Sequence, residues 1–244
     1  MRTLVLLVIF VVGLLAALAW QGRMHHLRSV TALPGWTDAI TPDSTVRRGT
    51  AILPDGLPVA GLRLSWTARL PDSGGWQWDV RLHGNDVDAS ARVSVPFWPA
   101  PLRARITDGH MPVAALAPGV IGPTGEISGA NGAVDLGGTA DAPVATGEIT
   151  AQAVGISIAG TDLGDGPLRA TLAEDGSWTA ELALPDGAAP VEAEAEGTID
   201  SDIVTYVVRI EDTGALPSEL VAIFDRFGRP EGSGWVIEGS QATR

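Results

Sequence analysis

Leu62-Arg63-Leu64-Ser65-Trp66-Thr67-Ala68-Arg69-Leu70 decides the fold: every even position is apolar and every odd one polar. Successive side chains of a strand point to opposite faces, so this period of two predicts a strand with one buried and one wet side. Pro71-Asp72-Ser73-Gly74-Gly75 then reads as a turn. Trp76-Gln77-Trp78-Asp79-Val80-Arg81-Leu82 repeats the alternation, again with the apolar residues on even positions. Gly84-Asn85-Asp86 turns the chain, and Val87-Asp88-Ala89-Ser90-Ala91-Arg92-Val93 alternates on odd positions. Short turns between alternating strands predict an antiparallel meander.

Further along, Leu102-Arg103-Ala104-Arg105-Ile106 is a shorter strand, and Pro112–Pro118 has room for one helical turn bridging two halves. Gly125-Glu126-Ile127-Ser128 and Gly147-Glu148-Ile149-Thr150 echo one another at the spacing of one hairpin step. Strands resume at Leu168–Leu172, Trp178–Leu184, Val191–Glu196 and Val204–Ile210, with a turn at Glu174-Asp175-Gly176. Leu216, Leu220, Ile223, Phe224 and Phe227 make one apolar helical stripe. Pro217 suits its first turn, Gly228 its C′ position and Pro230 its stop, after which Trp235-Val236-Ile237 is a last strand. The expected fold is mainly β: a large curled antiparallel meander of ten or more strands with one C-terminal helix. A single helix cannot cover so long a sheet, which must curl, fold on itself or close. Curling without closing leaves an apolar trough.

Outside the sheet, Leu4–Trp20 (LVLLVIFVVGLLAALAW) carries no charge. As a helix it reaches roughly 26 Å, close to the ~30 Å of a bilayer core. Trp20 takes an interfacial place, with Arg23, His25, His26 and Arg28 after it. Two readings stand: an uncleaved anchor, favoured by the length, and a signal peptide cut after Ala17-Leu18-Ala19. Either exports the remainder. The division expected is 1–23 transmembrane anchor or signal peptide, 24–45 juxtamembrane linker, and 46–244 a periplasmic β-rich domain.

The net charge is −13. That argues against nucleic acid, which needs a basic surface, and leaves no polybasic patch for anionic lipid headgroups. There is no cysteine, so disulfides, thiolate metal sites and a cysteine nucleophile are excluded. Every non-histidine cation is arginine, so no phosphate loop with its lysine exists. No Gly-x-Ser-x-Gly elbow appears either, and an exported hydrolase lacks a nucleophile–base set.

The polar clusters that remain have ordinary explanations. Glu192, Glu194 and Glu196 fall on one strand face and read as a solvated surface. His83-Gly84-Asn85-Asp86-x-Asp88 reads as a hairpin turn, which needs those residues for its backbone. Asp162, Asp165 and Gly166 lack the acidic ladder of a calcium loop and read as a turn. His110 also stands beside a glycine turn, and no two histidines take a metal-ligand spacing. Trp66, Trp76 and Trp78 fit core packing; Trp36, Trp98 and Trp235 are open, and Phe97-Trp98 between two prolines offers an exposed contact. No catalytic residue, metal ligand or cofactor is expected.

Leu220–Gly239 (LVAIFDRFGRPEGSGWVIEG) resembles the end of the type II secretion system protein N family: an apolar helix, Leu/Phe-Gly-x-Pro, an acidic-Gly turn and a final strand ending in Gly. Gly49-Thr50-Ala51 followed by Leu62-x-Leu64-x-Trp66 is similar to that family's opening strands, with Arg47-Arg48 where the family carries a Trp. The resemblance implies a single-pass inner-membrane protein of a Gram-negative bacterium, non-enzymatic, whose periplasmic domain contacts other secretion components. The family in turn is similar, at the level of fold, to AsmA-like proteins, whose curled sheets form grooves suited to lipid chains. A periplasmic lipid-binding or lipid-transfer domain is therefore the alternative expectation.

Overall fold

The structure is a computed structural model that describes residues 41, 43–52, 61–71, 75–84, 86–97, 101–115, 123–138, 143–199, 203–212 and 216–242. The span Leu4–Trp20, both linker histidines His25 and His26, Trp36, Asn85 and Trp98 lie outside them. Among the described residues no helix is long and apolar enough to cross a membrane.

Thirteen strands are described: β1 (Arg48–Ile52), β2 (Arg63–Ala68), β3 (Gly75–His83), β4 (Asp88–Pro96), β5 (Leu102–Pro112), β6 (Thr124–Gly138), β7 (Pro143–Ile158), β8 (Thr161–Leu172), β9 (Ser177–Leu184), β10 (Val191–Ile199), β11 (Ile203–Asp212), β12 (Arg229–Glu231) and β13 (Gly234–Ala242). A 3₁₀ turn, Val113–Ala115, follows β5, and helix α1 (Ser218–Phe227) stands between β11 and β12. All strands belong to one open sheet, ordered as in the chain up to β11 and then β13 and β12. Each hydrogen-bonded pair is antiparallel, as the short turns predict.

Alternation within strands and register between them place apolar residues opposite apolar residues. Leu64 faces Leu82 and Trp66 faces Val80; Trp78 faces Val93, which faces Ala104. The rows continue through Leu168–Leu182, Leu182–Ala193, Ala193–Ile210 and Ile210–Trp235. One side of the sheet is thus apolar from β2 to β13. Cross-strand pairs of this kind contribute roughly 0.2–1 kcal/mol each, so the sheet is held by their number.

The longest strands depart most from the sequence reading. Asp162 and Asp165, expected in a turn, lie inside β8. The β7–β8 register shifts near Ala153 and Ile156, and these carboxylates stitch the irregularity by accepting the N–H groups of Gly164 (2.9 Å) and Gly155 (2.6 Å). The turn itself falls at Ala159-Gly160, whose φ values of 51° and 82° give the mirror-image hairpin turn that matches strand twist. Thr41, Ser44 and Thr45, assigned above to the linker, are bound to β1 because their hydroxyls satisfy its edge.

Candidate functional site

Among the described residues the apolar side of the sheet is covered at two places and only partly buried between them. At the C-terminal end α1 lies across it. Leu220 is 0 % exposed and Phe224 5 %, and both join Leu184, Val191, Ile210 and Trp235 in one buried cluster. The Phe224 and Trp235 rings meet at 5.3 Å, and the Trp235 indole N–H donates to Asp225 Oδ1 at 2.8 Å. Trp235, open in the sequence reading, is therefore a core residue tied to the helix.

The helix ends differently from expectation. Gly228 has φ −127°, extended rather than left-handed, with its N–H on the Phe224 carbonyl. Space is tight there: a Cβ would stand 3.0 Å from Ile237 Cγ1 and from the Val236 carbonyl. Phe227 leaves the apolar stripe at 41 % exposure, with the Arg226 guanidinium 5.7 Å from its ring centre.

At the N-terminal end the cover is a short backbone strap. The indole N–H groups of Trp66 and Trp78, on adjacent strands, donate to the carbonyls of Thr45 and Val46, each at 2.9 Å. Ser44 is 2 % exposed; its hydroxyl accepts from the Thr50 N–H at 2.9 Å and donates to the Thr50 carbonyl at 3.0 Å. Two tryptophans expected as plain core thus act as amphipathic clamps, with an apolar ring and a polar tip.

Between strap and helix the face is only half-buried. In β2–β5 the fully buried residues are glycines, Gly75 and Gly109, while Leu64, Val80, Ala91, Val93, Ala104 and Ile106 keep partial exposure. Trp76 is packed edge-on against Phe97 at 6.2 Å, and Phe97 is 51 % exposed; its neighbour Trp98 lies outside the described residues.

A second feature of the face was not read from the sequence. Register aligns Trp178, Gly197, Tyr206 and Gly239 across β9, β10, β11 and β13. The Trp178 ring fills the space over Gly197, where a Cβ would come within 2.9 Å of it, and the Tyr206 ring fills that over Gly239. At the other end the Trp66 ring does the same over Gly49. Large rings laid over glycines let neighbouring backbones approach without a void. The signal in the sequence, one glycine or aromatic per strand, has meaning only once register is known.

The wet side carries charge in cross-strand ladders. Asp79 lies between Arg69 (2.5 Å) and Arg92 (3.3 Å); Arg81 grips Asp88, and Arg103 grips Asp135 at 2.6 and 2.7 Å. Burial pushes the Asp79 carboxyl up, but the Arg69 and Arg92 hydrogen bonds outweigh it and hold it below its ordinary 3.8. Hydrogen bonds from Arg81 and Arg103 likewise hold Asp88 and Asp135 below that value. Asp175 is lowered by the Ser177 hydroxyl and N–H.

Charge is unevenly shared. Residues 1–122 carry 11 arginines and 8 acidic residues, whereas residues 123–244 carry 5 arginines and 21 acidic residues, a net −16. On the wet side of β8–β11 a depression of about 590 Å³ is lined by Glu181, Glu192, Glu194, Glu211, Arg169 and Arg209, among others. Register puts Glu181 opposite Glu194 and Glu192 opposite Glu211. Glu196, with them in the expected solvated row, is paired to Arg209 at 2.7 Å. Among the described residues no group of three His, Cys, Asp or Glu side chains can hold a metal ion.

The two described histidines, His83 and His110, stand in register on either side of Asp88. His83 Nδ1 is 3.2 Å from Asp88, and His110 Nδ1 is 3.5 Å from Glu126. No family model, curated protein or solved structure matches the chain.

Proposed function

We propose that this chain is a non-enzymatic component of the type II protein secretion apparatus, held in the inner membrane by Leu4–Trp20, with its β domain in the periplasm against other secretion subunits. The observation that carries the reading is the behaviour of Leu220–Gly239. The residues of that resemblance form one packed unit: α1, the close approach at Gly228, the β12–β13 hairpin and the Phe224–Trp235–Asp225 contact. A signature that is structural throughout suits a scaffold better than an enzyme. Crosslinking the full-length protein in its native membrane, followed by mass spectrometry of what co-purifies, tests it. Secretion subunits are the expected partners. Their absence, under conditions that keep the rest of the apparatus together, overturns the reading.

A second reading rests on the half-buried apolar face of β2–β5. Glycines under aromatic rings allow the sheet to curl, and the face between strap and helix becomes a trough for acyl chains. Native mass spectrometry of the protein taken from membranes with bound lipid supports this; a clean mass with no phospholipid overturns it.

A further inference from the structure

The sheet is open, and its two edges are finished differently. At β1 the outward backbone groups of Arg48 and Thr50 are used. Thr50 is closed by Ser44 and by the Thr41 N–H (2.9 Å), and the Arg48 N–H and carbonyl are both taken by Thr45. At the other edge β12 is only three residues long and pairs with Gly234–Val236. Beyond it, among the described residues, Ile237–Ala242 is paired on the β11 side alone.

The hairpin geometry shows which groups are free. Its two-residue loop, with Gly232 at φ 64°, makes Glu231 and Gly234 the first hydrogen-bonded pair. Even-numbered residues of β13 therefore point their N–H and C=O outward and odd-numbered ones toward β11. Pro230, which has no N–H, sits at the non-bonded position opposite Trp235. The outward groups of Glu238, Ser240 and Ala242 continue the row that β12 leaves off.

Among the described residues the charge of Glu238 is the one protection this edge carries. It has no proline, lysine or bulge, and its register with β11 runs unbroken from Gly234 to Ala242. Six residues reach about 20 Å, an ordinary strand length. The edge also belongs to the half of the chain with net charge −16, and its exposed Glu238 faces one arginine, Arg229, at 3.7 Å.

We propose that the free edge of β13, Ile237–Ala242, is a strand-addition site that takes a basic extended segment of a partner protein as a fourteenth strand. Main-chain hydrogen bonds to Glu238 and Ser240 give the affinity. Arginine or lysine side chains fall on the wet side beside Glu238, and apolar ones continue the face marked by Ile237 and Gly239. The proposal does not depend on the secretion reading, because it rests on the edge and its charge.

The test uses full-length protein in detergent and a fluorescent capped peptide, Arg-Val-Arg-Val-Arg-Val, against its Glu-Val-Glu-Val-Glu-Val counterpart. The basic peptide is expected to bind at least about tenfold tighter, and to slow amide exchange at Glu238 and Ser240 on binding. Ser240→Pro removes an outward N–H and no bond to β11, so it is expected to keep the thermal transition and lose binding about tenfold. Glu238→Arg is expected to weaken the basic peptide alone. Equal binding of both peptides, or binding unchanged by Ser240→Pro, overturns the proposal. So does a dimer of the unliganded protein that Ser240→Pro dissociates, since the occupant is then a second copy.

Discussion

The two ends of the sheet are covered by different means, and the difference shows how much of a β-sheet needs a lid. At the C-terminal end an amphipathic helix buries Leu220 and Phe224 in one apolar cluster with residues of β6–β11 and β13. At the N-terminal end a few residues of backbone suffice, held by two indoles and a buried serine. Burial drives the first closure and directed hydrogen bonds the second. What lies between them among the described residues, in β4 and β5, has neither.

The strongest way to break this comparison is at the helix. Phe224→Ala removes a buried ring and is expected to cost about 3–5 kcal/mol, while Ile106→Ala, on the half-exposed face, is expected to cost less than half as much. Urea titrations of both variants measure it; equal costs mean that β5 is covered as thoroughly as β13. Next comes the ring-over-glycine row. Gly197→Ala pushes a methyl against the Trp178 ring and the Thr205 carbonyl and is expected to lose about 1–3 kcal/mol. Gly137→Ala meets nothing nearer than Pro101 at 3.7 Å, so its melting temperature is expected to stay within a degree or two of wild type.

Ser44→Ala sharpens the strap side. It leaves the Thr50 N–H without its acceptor and is expected to cost about 1–2 kcal/mol. The loss is expected to appear as faster amide exchange in β1 and β2, with β10–β13 unchanged. The smallest effect is acid. Asp79, Asp88 and Asp135 titrate below 3.8 in the folded protein. Their stabilisation is present above that value and lost as pH falls below it through their folded values. All three lie on β3, β4 and β6. Exchange is therefore expected to rise first in β3–β6 below about pH 3.8, and by little, because exposed ion pairs are screened by solvent. Acid loss that begins in β9–β13 contradicts it.

Much of this was legible from side-chain order. Leu62–Leu70 and Trp76–Leu82 became β2 and β3, and Leu216–Phe227 became α1, because a period of two or of 3.6 is a local property of the chain. The strands around 124–168 were harder. β6–β8 are broken by glycines and register shifts, so their alternation slips phase and their apolar residues are mostly small. Asp162 and Asp165 looked like turn residues because carboxylates beside glycines serve turns and bulges alike. The candidate site was less legible still: strap, edge and half-exposed face are relations between distant residues.

By itself the sequence determined which side chains share a face, since alternation assigns them whatever the strand order. It also determined that a helix stands near the C-terminal end of the sheet and that the chemistry of cysteine and lysine is absent. Only the tertiary structure decided which strand is last. A sheet's edge is set by which backbone groups find partners, and those partners lie tens of residues away. Register, in the same way, brought Trp178 over Gly197, Glu181 against Glu194, and Ser44 onto β1 while leaving β13 open.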